Sequence, residues 1–250
     1  MHPTLVSIGP FHLYSYGLLV AIGVLAAIAL IRNNAKDISV NSELALDLAI
    51  TTVVSGFIGA RIFYVIEFWD YFRSSPIDAI KIWEGGIILY GGLAGGLLGF
   101  TLFVRLKRLS YLSMLDLFVP ALALAQAFGR LGCFLNGCCY GKTSTLPWSV
   151  SFPALDHRVH PTQLYEAAFC FLLAAFLLIL WRRRLQPGVV SAAYFILYSV
   201  GRFTIEYFRG DNLKLLFDLT LPQWTSLIFL AAAIVSILWL RFGWLWKKKE

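Results

Sequence analysis

Seven apolar runs decide the fold class before any single residue is considered. They cover residues 14–31, 44–66, 86–104, 111–132, 162–181, 188–207 and 222–242. A helix needs about 20 largely apolar residues to cross the hydrocarbon core of a bilayer. Backbone at that depth must satisfy its own polar groups, which leaves helices or closed barrels. The runs lack the roughly ten-residue alternating pattern of a membrane barrel. Of 250 residues, 59% are hydrophobic and 14% charged, against roughly 25% charged in soluble domains. The expected fold is all-α: a multi-pass membrane protein of about seven transmembrane helices. No repeat or linker interrupts it, so one membrane-embedded domain over 1–250 is the simplest organisation. Glycines or charges weaken three of the runs, which leaves one open to being re-entrant.

Loop charge orients the chain, because lysine and arginine favour the cytoplasmic side. With the N-terminus outside, twelve of the 21 lysines and arginines fall in inner segments, six in outer ones and three within spans. The expected threading is N-out, C-in. The net charge of +7 then needs no nucleic acid to explain it. It marks cytoplasmic loops that meet anionic headgroups.

The three arginines within spans raise the functional question, since ionisable groups there mark sites by default. In "GRFTIEYFRGDN", Arg202, Glu206 and Arg209 stand at i, i+4 and i+7 and share one helical face. An internal ion pair is one reading. The other uses the positive surplus of two arginines over one carboxylate to hold a phosphate. Arg130, between Gly129 and Gly132, either snorkels to the headgroups or grips an anion with its planar fork. Arg61, in "GARIFYVIEF", divides evenly between structure and site. In "HPTQLYEA", Gln163 and Glu166 lie one turn apart near a helix start. Glu166 either orients an arginine or complements the helix dipole.

Two further features bear on function. In "GGIILYGGLAGGLLGF", Gly91, Gly95 and Gly99 are spaced four apart, as are Gly92 and Gly96. Such stripes allow close helix packing, or offer amides to an anion near a helix start. Tyr90 heads the stripe. Cys133, Cys138 and Cys139, in "GRLGCFLNGCCYGK", do not match a structural zinc pattern even with His157 and His160 nearby. Small apolar packing groups are the expected role, with a catalytic thiol as the alternative. No metal ligand and no cofactor is expected.

Taken together, "SIGPFHLYSYGLL", "GARIFYVIEF", "IWEGGIILYGGLAGG", "GRLGCFLNGCCYGK", "HPTQLYE" and "GRFTIEYFRGDN" resemble, in this order, the prolipoprotein diacylglyceryl transferase family. The resemblance covers roughly residues 7–212. It implies a bacterial inner-membrane enzyme of seven spans, with its N-terminus outside and its active site toward the outer leaflet. It implies transfer of the diacylglyceryl group of phosphatidylglycerol to the thiol of a preprolipoprotein lipobox cysteine, with release of glycerol phosphate. Tyr90, Arg130, Arg202 and Glu206 are the implied catalytic residues. Tyr16, Arg61, Asn136, Gly141, His160, Gln163, Glu166 and Arg209 are the implied phospholipid-binding residues.

Three departures stand out. "YGGL" places Tyr90 where the family usually has histidine. Cys133 replaces the usual asparagine. The segment between Gly141 and His160 is short. A paralogue with another acceptor, or a non-enzymatic transporter or binding protein for an anionic lipid, is therefore the alternative.

Overall fold

The computed structural model describes residues 4–8, 11–81, 85–210, 213 and 215–247. It is mostly helical. A short antiparallel hairpin, β1 (Thr4–Ile8) and β2 (Phe11–Tyr14), leads into α1 (Ser15–Ala35). Then follow α2 (Ser42–Glu67), the single turn α3 (Trp69–Phe72), α4 (Leu89–Leu106) and α5 (Tyr111–Asn136). A second two-stranded pair, β3 (Val150–Ser151) and β4 (Arg158–Val159), precedes α6 (Thr162–Arg182), α7 (Val189–Glu206) and α8 (Leu221–Lys247). Six of these helices are long and apolar enough to cross a membrane: α1, α2, α4, α5, α6 and α8. The remaining expected span, α7, has 18 residues but carries Arg202 and Glu206 along with serines and tyrosines. Its polar side needs protein around it rather than lipid. Lys214, Lys248 and Lys249, which entered the loop-charge argument, lie outside the described residues.

The chain forms two compact units, Leu30–Met114 on the one hand and Met1–Ala29 with Leu115–Glu250 on the other. The first is built on α2 and α4, and the glycine stripe is its contact surface. A Cβ on Gly59 would lie 2.8 Å from the Gly95 Cα and would collide with the Gly91 carbonyl. Gly56 faces Gly92 and Gly96 more loosely, with a Cβ there 3.3 Å from the Gly92 carbonyl. A side chain at Gly59, Gly91 or Gly95 would force the helices apart, which is how small residues let membrane helices approach.

In the second unit α7 is fixed at its start by a borrowed cap. The Asp116 carboxylate on α5 accepts from the amides of Gly188 and Ser191, each at 2.7 Å. An anion at a helix N-terminus satisfies orphan donors and complements the dipole. Further along, three sequence blocks are knitted by backbone bonds. The Gly141 amide donates to the His160 carbonyl at 2.9 Å, the His160 amide to Lys142 at 3.0 Å and the Lys142 amide to Phe208 at 2.8 Å. Gly141 is the crossing point. A Cβ there would lie 2.7 Å from the His160 Cβ and 2.5 Å from the Phe208 carbonyl. The knot sets the ends of α5 and α7 beside the start of α6.

Candidate active site

Three helices of the second unit bring three arginines and two glutamates together in its interior. Glu166, in the second turn of α6, has a side chain only 3% exposed. Its Oε1 lies 3.0 Å from Arg130 Nη2 of α5, and its Oε2 lies 3.8 Å from Arg202 Nη1 of α7. Glu206, one turn beyond Arg202, has its Oε2 2.8 Å from Arg202 Nη2 and 3.8 Å from Arg209 Nε. Arg209 comes from the turn after α7, which ends at Glu206. The i, i+4 spacing of Arg202 and Glu206 delivers their contact directly. The Arg130–Glu166 contact depends instead on α5 and α6 meeting.

Two neutral groups complete the carboxylate shells. The Tyr198 hydroxyl donates to Glu166 Oε1 at 3.2 Å, and the Thr220 hydroxyl donates to Glu206 Oε1 at 2.8 Å. Neither residue is among the expected site residues, although both leave a signal in the sequence. Tyr198 precedes Arg202 by four, on the face already singled out. Thr220 and Gln223 have the T-x-x-Q spacing of a capping box at the start of α8, and they make its glutamine half, in which the Thr220 amide donates to Gln223 Oε1 at 2.9 Å. Capping boxes are readable from spacing.

Among the described residues, Arg130, Arg202 and Arg209 gather around the carboxylates of Glu166 and Glu206 in a largely buried setting. Arg202 Nη1 is buried and has no hydrogen-bond acceptor among the described residues. Gln163 Oε1, equally buried, has no donor there. The Gln163 amide is oriented by its other end, since Nε2 donates to the Cys138 carbonyl at 2.6 Å. Such an arrangement can take an anion on the arginine side and a hydroxyl or thiol on the glutamine side.

The other expected site residues are placed as follows. In the second unit, Tyr16 in the first turn of α1 packs over Gly132, whose Cβ would lie 3.0 Å from the tyrosine ring. Asn136 closes α5 and is exposed. His160 Nδ1 is 3.2 Å from the Tyr165 hydroxyl, which also accepts from Trp148 Nε1 at 2.8 Å. Cys133, Cys138 and Cys139 converge, with sulfurs within 4.8 Å of one another, and neither histidine joins them. Sulfur–sulfur hydrogen bonding with Cys133 and Cys138 holds the Cys139 thiol well below the usual thiol range, and Arg209 and Arg130 act in the same direction. Tyr90 and Arg61 belong to the first unit. Tyr90 is the second residue of α4 and is half-exposed.

Arg61 has its donors fully engaged. Its Nε donates to the Ala79 carbonyl at 2.9 Å, its Nη1 to Gly85 at 2.6 Å and Gly86 at 2.9 Å, and its Nη2 to Asp78 at 2.6 Å and Lys81 at 3.2 Å. A guanidinium has five N–H groups, so this one staples a loop. Arg61→Lys is expected to destabilise the protein by on the order of 3 kcal/mol, since hydrogen bonds from charged donors are among the stronger ones. Thermal unfolding and limited proteolysis across residues 73–88 check this. A raised Michaelis constant for a lipid substrate with unchanged stability would return Arg61 to a binding role.

A family profile described as prolipoprotein diacylglyceryl transferase matches residues 3–239. The chain is 38% identical over 240 residues to the phosphatidylglycerol--prolipoprotein diacylglyceryl transferase of Clostridium tetani (strain Massachusetts / E88), spanning 94% of this chain and 96% of that one. It is 36% identical over 253 residues to the protein of the same name from Synechococcus elongatus, spanning 95% and 87%. A second such transferase, from Clostridium perfringens, is 34% identical over 228 residues and is spanned to 89% on both sides.

Proposed function

The chain belongs to the prolipoprotein diacylglyceryl transferase family, and from that premise we propose that it transfers the diacylglyceryl group of phosphatidylglycerol to the thiol of a lipobox cysteine. In this reading the acceptor sulfur attacks the glycerol carbon that carries the phosphate ester. A carbon–sulfur bond forms, the carbon–oxygen bond breaks, and its electron pair leaves on glycerol phosphate. The thiol proton passes to a base. Negative charge thus builds on a phosphate oxygen, and donors fixed in advance at that point lower the barrier.

The observation that carries the proposal is the buried Nη1 of Arg202, which has no hydrogen-bond acceptor among the described residues and only a 3.8 Å ion-pair contact to Glu166, beside Arg130 on the same carboxylate. Arg130 and Arg202 hold the phosphate, with Arg209 beside them. Glu206 and Glu166 orient the guanidiniums. Tyr16, Asn136, Gly141, His160 and Gln163 shape the headgroup side. The threading that suits this reading has seven spans in the bacterial inner membrane, with the N-terminus and the site toward the outer leaflet.

Mass spectrometry of purified protein incubated with phosphatidylglycerol and a lipobox peptide tests the reaction. A peptide heavier by one diacylglyceryl group, with glycerol phosphate released in equal amount, is the expected result. Lipid binding without either product overturns it.

Tyr90 supports a second reading at the acceptor end. Tyrosine titrates near 10 and histidine near 6.5, so a tyrosine at the histidine position handles a proton differently. Release of glycerol phosphate without peptide modification favours a paralogue with another nucleophile. Tyr90→Phe keeps the ring and removes the hydroxyl. It is expected to slow transfer by roughly a hundredfold, the scale for losing one donor at developing charge. Tyr90→His is expected to be better tolerated. Wild-type turnover in Tyr90→Phe would take the hydroxyl out of the reaction.

A further inference from the structure

The three cysteines after Gly132 share a geometry that their spacing along the chain does not reveal. Cys133 lies in the last turn of α5, and the chain then doubles back. Gly137 and Cys139 adopt positive φ values of 76° and 64°. The Gly137 amide donates to the Phe134 carbonyl at 3.2 Å, and the Cys138 amide donates to the Cys133 carbonyl at 3.2 Å. A non-glycine residue with positive φ is uncommon and needs support. Support comes from the start of α6, where Thr162 Oγ1 donates to the Cys139 carbonyl at 3.0 Å and Gln163 Nε2 to the Cys138 carbonyl at 2.6 Å. The backbone is thus pinned on both sides, and the thiols are left to face one another.

All three Sγ atoms lie within 4.8 Å of one another, with Cys138 and Cys139 at 3.4 Å. All three residues are half-buried, whereas Cys170 is fully buried in α6. A metal–sulfur distance of about 2.3 Å places trigonal sulfurs about 4.0 Å apart and tetrahedral ones about 3.8 Å apart. The observed triangle needs only small side-chain rotations to match either. A disulfide suits it less well, because 3.4 Å is far from the bonded distance of about 2.05 Å and adjacent cysteines are poorly placed to bridge. No histidine or carboxylate joins the group among the described residues.

The geometry points to a three-thiolate site for a thiophilic d10 cation of the copper(I) or zinc(II) type. Thiolate ligands select soft cations. Three protein sulfurs complete the trigonal shell that copper(I) accepts, and they leave one tetrahedral position of zinc(II) for water. Thiolate ligands give the loaded site net negative charge, and Arg130, three residues before Cys133 on α5, brings positive charge to the same helical face. Occupancy would tie the last turn of α5 to the loop that follows it, whose carbonyls bond to the start of α6. The inference revises the expectation of packing groups alone, and it stands whether or not the chain is a transferase.

The test uses the reduced full-length protein in detergent without oxygen. Copper(I) is titrated against bathocuproine disulfonate, and zinc(II) against a chromophoric chelator in a separate arm. One equivalent of either ion, with three sulfurs in the X-ray absorption shell, is the expected result. Changing Cys133, Cys138 or Cys139 singly to serine is expected to weaken binding at least tenfold, and Cys170→Ser to leave it unchanged. The unmodified protein supplies an independent readout: the metal should slow alkylation of three thiols by N-ethylmaleimide. Failure of both ions to compete, a shell of two sulfurs, or equal binding by the triple serine variant overturns the site.

Discussion

Arg130→Lys is expected to lower the rate of diacylglyceryl transfer by roughly a hundredfold or more, although the charge is kept. The guanidinium has a planar fork that reaches the Glu166 carboxylate, 3.0 Å from Nη2, and still offers other N–H groups to an anion. An ammonium has three donors on a flexible stem and no fork. If it keeps the contact to Glu166, it loses the second direction. Glycerol phosphate release measures the rate, and thermal unfolding of the same preparation shows whether the variant is folded. A folded Arg130→Lys protein that turns over near the wild-type rate would reduce Arg130 to an anchor in the headgroup layer.

Replacing Glu166 by leucine is expected to have the larger effect on stability, about 3–5 kcal/mol. Glu166 is the carboxylate shared by Arg130 and Arg202, and its removal takes an ion-pair partner from both guanidiniums. The cost comes from stranded charge more than from a lost bond. That distinction has a signature. The double variant Arg130→Met with Glu166→Leu should be more stable than Glu166→Leu by itself, because it removes the stranded partner. Thermal midpoints of the two variants and each parent decide it. If the double variant is the less stable one, Arg130 is not a stranded charge without Glu166 and the charge argument fails.

The helices were legible because apolar runs of this length leave no other spanning structure. Their ends were read less well: the last run was expected to stop at 242, and α8 continues to Lys247. The Arg202–Glu206 pair was legible for the same local reason, a fixed helical spacing. The Arg130–Glu166 contact was not, because 36 positions separate them and only the docking of α5 on α6 joins them. The donors of Arg61 gave no clue to their destination. They end on backbone carbonyls, which carry no residue-type signature. The cysteine triangle was hidden by its dependence on a left-handed Cys139, a conformation that residue type does not announce.

The pairing of Arg202 with Glu206 on one helix has a consequence for how the chain enters its membrane during synthesis. Helices emerge from the ribosome in order, so Arg130 arrives before Glu166, and Glu166 before Arg202. Arg130 stands near the end of its span and can wait with its head among lipid headgroups. Arg202 has its counterion one helical turn away, and the two arrive together. The helix with the most polar face therefore carries its own neutralisation across the insertion step, and the shared carboxylate of α6 needs only to receive it.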